Sequence, residues 1–291
     1  MKRLFHMTFE NAYGSIEFGG GDAPVYRTTE VTGLGPPQKE FNVVSYAGQA
    51  GQETIAEKDL PRVITLGGDL CRTEGVQEEL SRMARVLYHP GELKIHSGSK
   101  KRKIACRCTA FDDPERRGPN VARFVVQFTA DNPFFTDFEP REIPVFQREL
   151  LLEGSFTLPC MFSKRTSRQN IFNMGDVKTE PIFTIYSLDS DAETAAADGE
   201  TGIVVTNHTT GQHIQLECST TPGEVITIDI PNRRVESSKN PDIITTLTGD
   251  SFLSNFWLAE GGNDVEVINY NVGETVNVIC RYDNQYVEAV Y

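Results

Sequence analysis

The chain has 291 residues, of which 38% are hydrophobic and 24% charged, and a net charge of −13. This suits about two ordinary globular domains and argues against general disorder. No run approaches the ~18 consecutive apolar residues of a membrane-spanning helix, and an acidic chain is a poor general binder of phosphate backbones. Met1-Lys2-Arg3-Leu4-Phe5-His6 carries charge with no apolar stretch behind it. The expectation is therefore no signal peptide, synthesis in the cytosol and reduced thiols.

The first half reads as strands with one helix. Val76, Leu80, Met83 and Leu87 recur at spacings of four, three and four. They predict a helix over about 74–88, with Thr73 as N-cap and Pro90-Gly91 beyond its end. Its apolar stripe serves either its own sheet or a contact between subunits. A hairpin follows: Ile104, Cys106, Cys108 and Ala110 share one face against Lys103, Arg107 and Thr109. The return strand sets Ala122, Phe124, Val126 and Phe128 inward and Arg123 and Gln127 outward, across a polar loop at 112–120. Its arginine face is either solvated or a lateral contact surface. Pro133, Pro140 and Pro144 form a connector, too apolar around Phe134, Phe135, Phe138 and Phe146 to be a floppy linker.

The expected domains are 1–145, with strands and one helix, and 146–291, all β. In the second, strand-like segments fall at 181–187, 202–206, 213–218, 224–230, 264–270, 274–282 and 285–291. Turns are expected at Thr209-Thr210-Gly211, Thr221-Pro222-Gly223, Pro231-Asn232 and Gly261-Gly262-Asn263-Asp264. Many short strands with regular turns predict a β-sandwich or jelly roll. Residues 188–201 read as a surface loop. Residues 1–145 hold 19 basic and 20 acidic residues and residues 146–291 hold 9 and 21. A near-neutral half that faces other protein and an acidic half held outside would avoid charge repulsion.

No motif points to catalysis, so the expectation is no enzyme, no cofactor and no metal. There is no His-Glu-x-x-His, no Gly-x-Ser-x-Gly and no Walker-type loop. Gly19-Gly20-Gly21 has no helix pattern behind it. Asp189, Asp191, Glu193 and Glu200 partly imitate a calcium loop, but Thr194 stands where glycine is required. His208 and His213 flank a turn without an adjacent carboxylate and read as plain surface residues. The cysteines, Cys71, Cys106, Cys108, Cys160, Cys218 and Cys280, read as buried free thiols. Lys100-Lys101-Arg102-Lys103 is the one basic run, either the solvated start of a hairpin or a pairing site for a neighbouring subunit. The candidate interface residues are Lys101, Arg102, Lys103, Arg107, Arg116, Arg117 and Arg123. Trp257, the only tryptophan, reads as core, and is the best residue for a sugar-stacking platform if it is not.

Phe124-Val125-Val126-Gln127-Phe128-Thr129-Ala130-Asp131-Asn132-Pro133-Phe134-Phe135 is similar to the end of the first domain in siphophage distal tail proteins. Tyr88–Ile95 and Arg102-Lys103-Ile104 look like the same domain. Asn173–Phe183, Ile226–Asp229, Arg233-Arg234-Val235 and Phe256–Asn263 resemble the second domain, in order. The resemblance, which spans most of the chain, implies a ring-forming, barrel-like N-terminal domain and a galectin-like or carbohydrate-binding-module-like β-sandwich outside it. It also implies a structural role at the tail tip. There a self-assembled ring, six-membered in the family, joins tail tube to baseplate hub and lets DNA pass without sequence-specific binding. The implied partners are copies of itself, the tail tube protein, the tape measure protein and the tail-associated lysin or baseplate hub. The implied location is the virion tail, with assembly in the host cytoplasm and no membrane contact. No insertion is long enough for the receptor-binding arm of some members. The alternative is a carbohydrate-binding module or adhesin-like β-sandwich, and a cell-wall hydrolase lacks any marked carboxylate pair.

Overall fold

The computed structural model describes residues 5–19, 25–48, 50–72, 74–112, 114–150, 163–166, 168–190, 202–271 and 274–290. Thr73, most of Gly19-Gly20-Gly21, Cys160 and the acidic positions from Asp191 to Glu200 lie outside them. The chain forms two compact units, one of residues 1–138 with 286–291 and one of residues 139–285.

The first unit contains β1 (Phe5–Asn11), β2 (Gly14–Gly19), β3 (Tyr26–Thr32), β4 (Lys39–Val44), β5 (Glu53–Asp59), β6 (Arg62–Cys71), α1 (Val76–Leu87), β7 (Gly91–Ser97), β8 (Lys100–Phe111), β9 (Glu115–Arg116), β10 (Val121–Ala130) and β11 (Phe135–Thr136). Strands run β8-β7-β1-β2-β3-β6-β10, and β10 pairs back onto β8, closing a seven-stranded barrel. Period-two alternation fills it. Phe9, Phe18, Leu66, Leu93, Ile104, Phe124, Val126 and Phe128 are all buried in one cluster, while their strand neighbours face out. Four phenylalanines meet inside, with Phe9 5.0 Å from Phe128 and Phe18 5.9 Å from Phe124 between ring centroids. They approach β6 so closely that a Cβ at Gly68 would stand 2.7 Å from the Phe124 ring. A side chain there is sterically excluded.

The helix begins at Val76 rather than 74, behind Gly75, whose left-handed φ of 72° suits glycine. Its stripe, Val76, Leu80, Met83 and Leu87, joined by Val86, lies in the barrel's own cluster. Of the two roles open to this stripe, the structure shows packing on its own barrel.

The second unit contains β12 (Arg141–Leu150), β13 (Ser163–Thr166), β14 (Arg168–Asn173), β15 (Ile182–Ser190), β16 (Ile203–Asn207), β17 (Gln212–Leu216), β18 (Val225–Asp229), β19 (Arg234–Ser237), β20 (Gly261–Asn269) and β21 (Glu274–Tyr282). One sheet runs β13-β12-β21-β15-β18-β19 and the other β14-β20-β16-β17. Their inner faces, with Phe183, Ile185, Ile228 and Val278 on one and Ile171, Val205, Ile214 and Val267 on the other, share a single core. This is a β-sandwich. The mainly β architecture, the one helix, the barrel and the sandwich all agree with the expected fold class.

Three local expectations are corrected. Pro144 does not end a strand: it sits inside β12 at a register shift between Pro144 and Phe146, where a bulge tolerates the missing donor. Gly261-Gly262-Asn263-Asp264 is not a turn but the start of β20, paired with β14 from Asn173 to Asn170. The strand expected over 285–291 shrinks to β22 (Gln285–Tyr286), which lies beside β11 in the first unit's sheet.

Residues 286–290 complete the first unit. Ala289 is fully buried in the barrel's cluster, and its N–H donates to Leu34 O at 3.0 Å. Arg62 is 3% exposed. Its guanidinium donates to Val287 O at 2.9 Å and Gly33 O at 2.8 Å, and to the carbonyls of Gly35 and Pro133, with Phe135 beneath it at 4.3 Å. Burial pushes this guanidinium down to about 10, so it stays charged at neutral pH, matched by four carbonyl acceptors. Arg62→Met would keep the volume and leave those carbonyls unanswered. The expected cost to the first unit is roughly 2–4 kcal/mol on the usual scale for buried charged hydrogen bonds. Denaturant unfolding checks this. Trp257, the only tryptophan, reports the second unit and should keep its midpoint, while circular dichroism shows an earlier first transition.

Candidate functional site

The candidate interface residues lie on β8, β9 and β10. Alternation turns Ile104 and Cys106 into the barrel and leaves Lys101, Ala105, Arg107 and Thr109 exposed. On β10 the same rule exposes Arg123 and half-exposes Val125 and Gln127. β9, with Arg116, pairs beside Arg123. Arg107, Arg116, Arg117 and Arg123 are thus brought to the outer surface of the wall where β8, β9 and β10 meet, whereas Lys101 lies at the other end of β8, opposite His96. Val63, 44% exposed, adds an apolar residue from β6, opposite Thr129.

Acidic neighbours partly tie this face down. Arg107 makes two hydrogen bonds to Asp131, at 2.8 and 2.9 Å. Arg117 stands 3.6 Å from Glu115, and Lys103 reaches Glu92 at 3.4 Å. Exposed pairs of this kind contribute only ~0.2–1 kcal/mol each, so a partner can replace them at small cost. Arg102 does not belong to the face. It stacks on the Tyr286 ring at 3.5 Å and bonds Asp137 at 2.7 Å, which makes it part of the packing of residues 286–290. Lys100 joins the same packing through Glu288 at 2.7 Å. Beside Lys101 across the β7–β8 pairing, His96 stacks on His6 at 4.2 Å. Burial first, then the positive neighbours His6 and Lys101, hold His96 below the usual histidine range.

On the far side of the barrel wall, the helix carries a buried ion cluster. Glu79, 8% exposed, accepts from Tyr26 Oη at 2.6 Å, Arg82 Nε at 2.9 Å and Arg72 at 2.7 Å. Burial works against its charge, but the hydrogen bonds from Arg82 and Tyr26 and the charges of Arg82 and Arg72 outweigh it, and the carboxyl sits below the ordinary glutamate range. Burial and then Glu79 push the Tyr26 phenol well up. This cluster ties α1 to β3 and is structural. A carboxylate depressed in the folded state stabilises above its unfolded pKa, and that stability disappears as pH falls through the folded value. Glu79→Gln should therefore flatten the acid limb of the first unit's stability profile below the ordinary glutamate range, as read by denaturant midpoints between neutral pH and pH ~3.

In the second unit Trp257 is not core but half-exposed. Its backbone is fixed, with its N–H on Gln212 Oε1 at 3.1 Å and its carbonyl held by the buried Asn207 at 3.0 Å. Lys178 Nζ lies 4.3 Å from its ring centroid, so the face a sugar would stack on already carries a cation–π contact. His208 and His213 are corrected too. Each has a carboxylate partner, Glu266 at 2.7 Å and Asp250 at 3.1 Å, supplied by segments distant in sequence. Cys106 and Cys280 are buried thiols, Cys106 pushed up to about 12 by burial, whereas Cys71 is exposed at the end of β6. Among the described residues no group of three or more metal-ligating side chains occurs. Lys178→Ala should uncover the indole, seen as a clear rise in acrylamide quenching of Trp257 emission with an unchanged melting temperature.

Two exposed features escaped the sequence reading. Tyr13 and Tyr88, 65% and 84% exposed, flank His89, which stacks on Tyr13 at 3.7 Å. The turn at Asn11-Ala12-Tyr13-Gly14 was their only signal. The hairpin β4–β5 is the other. The glycine-containing stretch at 45–52 between its mostly polar strands is the only local sign of a turn there.

Residues 174–286 match the family model described as the siphovirus-type tail component, C-terminal domain. No curated protein matches the chain. Among solved structures, the chain is similar to the Dit protein (gp 19.1) of phage SPP1, described as a paradigm of the hub adsorption apparatus in phages infecting Gram-positive hosts. The TM-score is 0.65 at 12% identity, over 97% of this chain and 98% of that one. It is also similar to a chain of the phage P2 baseplate in its activated conformation with Ca, with a TM-score of 0.52 at 11% identity and the same coverage. The chain thus contains the C-terminal domain of the siphovirus-type tail components, the distal tail family that its sequence resembles, and has the fold of a distal tail protein over nearly its whole length.

Proposed function

We propose that this chain is a structural subunit of a long-tailed phage or prophage. In this reading copies of the barrel unit associate into a ring, six-membered as in the family, at the distal end of the tail. The ring joins tail tube to baseplate hub and leaves a central passage for DNA, and the sandwich stands outside it. Tail tube protein, tape measure protein and tail-associated lysin or baseplate hub are the partners. The virion tail is the location, with assembly in the host cytoplasm, and the protein turns nothing over.

One observation carries this reading: a tail-component family match on the second unit coincides with a whole-chain likeness to a phage hub protein. The physical features support it. The barrel is closed on itself, so neighbours must meet through its outer surface rather than by extending the main sheet. That surface offers a mixed basic and apolar patch, and most of the negative charge lies in the second half of the chain, where it adds little repulsion between ring subunits. The alternative, a carbohydrate-binding sandwich, is less supported, since one face of its best residue, Trp257, already carries Lys178.

Light scattering coupled to size exclusion, with negative-stain microscopy of the peak, tests the proposal. The expected result is an annular particle with a mass of several chains, alone or on adding the tube protein and hub encoded beside it. A chain that stays monomeric with those partners present would overturn it.

A further inference from the structure

Among the described residues the strands β4 and β5 pair only with each other. None of their residues joins either hydrophobic core, and Phe41, Val43 and Ile55 are 53%, 41% and 65% exposed. An isolated two-stranded hairpin is marginal in water, and three exposed large apolar side chains on one are a feature of surfaces that become covered. Phe41 and Val43, two apart on β4, share a side with the β5 residues opposite them, Glu57 and Thr54, and a register shift after Asn42 leaves Ile55 in a bulge between these pairs. Lys39 and Glu57 pair at 3.2 Å at the edge of this ridge.

We infer that β4–β5 is an arm that docks on the basic outer face of β8 and β10 in a second copy of this chain. The inference rests on the ring reading above and names the two halves of its contact. Charge selects the occupant. Residues 38–60 hold four acidic and two basic residues, whereas the acceptor face presents Arg107, Arg116, Arg117 and Arg123 with Glu115 and Asp131 beside them. Shape and chemistry agree. The acceptor sets the apolar Val63 and Val125 among Arg107, Arg116 and Arg123, a match for an apolar ridge that shares its side with Glu57 and Asp59. Symmetry agrees as well. A closed ring with a head-to-tail interface needs two different, complementary patches on every copy, and the arm and the basic face are such a pair.

The arm can be removed cleanly. Leu60 N–H donates to Gln38 O at 2.8 Å at its base, so a short Gly-Ser linker can replace residues 39–59. The test compares the natural chain with this armless variant by light scattering, each checked for an unchanged denaturant midpoint. The expected result is a multimer for the natural chain and the mass of a single chain for the variant. If both are multimers of equal mass, the arm is not the contact and this inference falls while the ring reading stands. A natural chain that is monomeric with its tail partners overturns both. A photo-crosslinking residue at Phe41, in a mixture of heavy- and light-isotope chains, fixes the acceptor. Crosslinks between copies landing in residues 100–131 or at Val63 support the assignment, and crosslinks landing elsewhere overturn it.

Discussion

The pairing of β10 with β8 is the constraint on which the first unit depends. β10 lies along β6 for its full length. Its C-terminal part also meets β8, through a register shift between Gln127 and Phe128. That bulge bends the sheet far enough to close. Closure makes one interior out of seven alternating strands, and it leaves the barrel wall itself without a free edge. Its consequences run outward. A barrel wall without an open edge cannot recruit copies by simple strand addition, so recognition falls to side chains on the outer face and to whatever projects from it.

Much of the barrel was legible because its signal is local. The alternation of Ile104, Cys106, Phe124, Val126 and Phe128 says which side of each strand is buried, whatever the strand's partners are. The helix stripe is equally local. Closure was not legible, because a period of two does not name the neighbouring strand. The same blindness misplaced residues 285–291: their pattern reads as strand, but only the three-dimensional path brings Tyr286 beside β11 and Ala289 into the barrel's core. Pro144 misled for a different reason. A proline is a strand breaker only where its missing N–H would be needed, and a bulge removes the need.

The functional surface was legible in part. Alternation put Lys101, Arg107 and Arg123 outward, as the structure has them. It also sets Arg102, one residue on, on the inward side with Ile104, but it could not name the partners Asp137 and Tyr286, which lie 35 and 184 positions away. Trp257 shows the same limit. Its apolar neighbours Phe256 and Leu258 are buried, but alternation places the residue between them on the other side, under Lys178. The hairpin β4–β5 was invisible for a compositional reason. Its strands are mostly polar, as an element with no core to face must be, so no hydrophobic period announces them.

Arg62 shows how the first unit converts sequence separation into order. Its hydrogen bond to Val287 spans 225 positions. The same guanidinium holds Gly33, Gly35 and Pro133, three loop carbonyls that no strand partner satisfies. A lysine could not do this, since a compact ammonium lacks the planar fork that answers several carbonyls in different directions. One buried cation therefore fixes the loop after β3, the connector before β11 and the segment 286–290 together. Closing loops of this length costs chain entropy that grows only slowly with length, so a distant segment is scarcely costlier to bring home than a near one. What it must supply is enough burial and bonding to hold, and Ala289 in the core, Val287 on Arg62 and Glu288 on Lys100 supply it. The barrel wall that presents Lys101 and Arg107 is in this way braced from behind, by Arg102 on Tyr286 and Lys100 on Glu288, and the basic face is presented by a rigid strand rather than a free one.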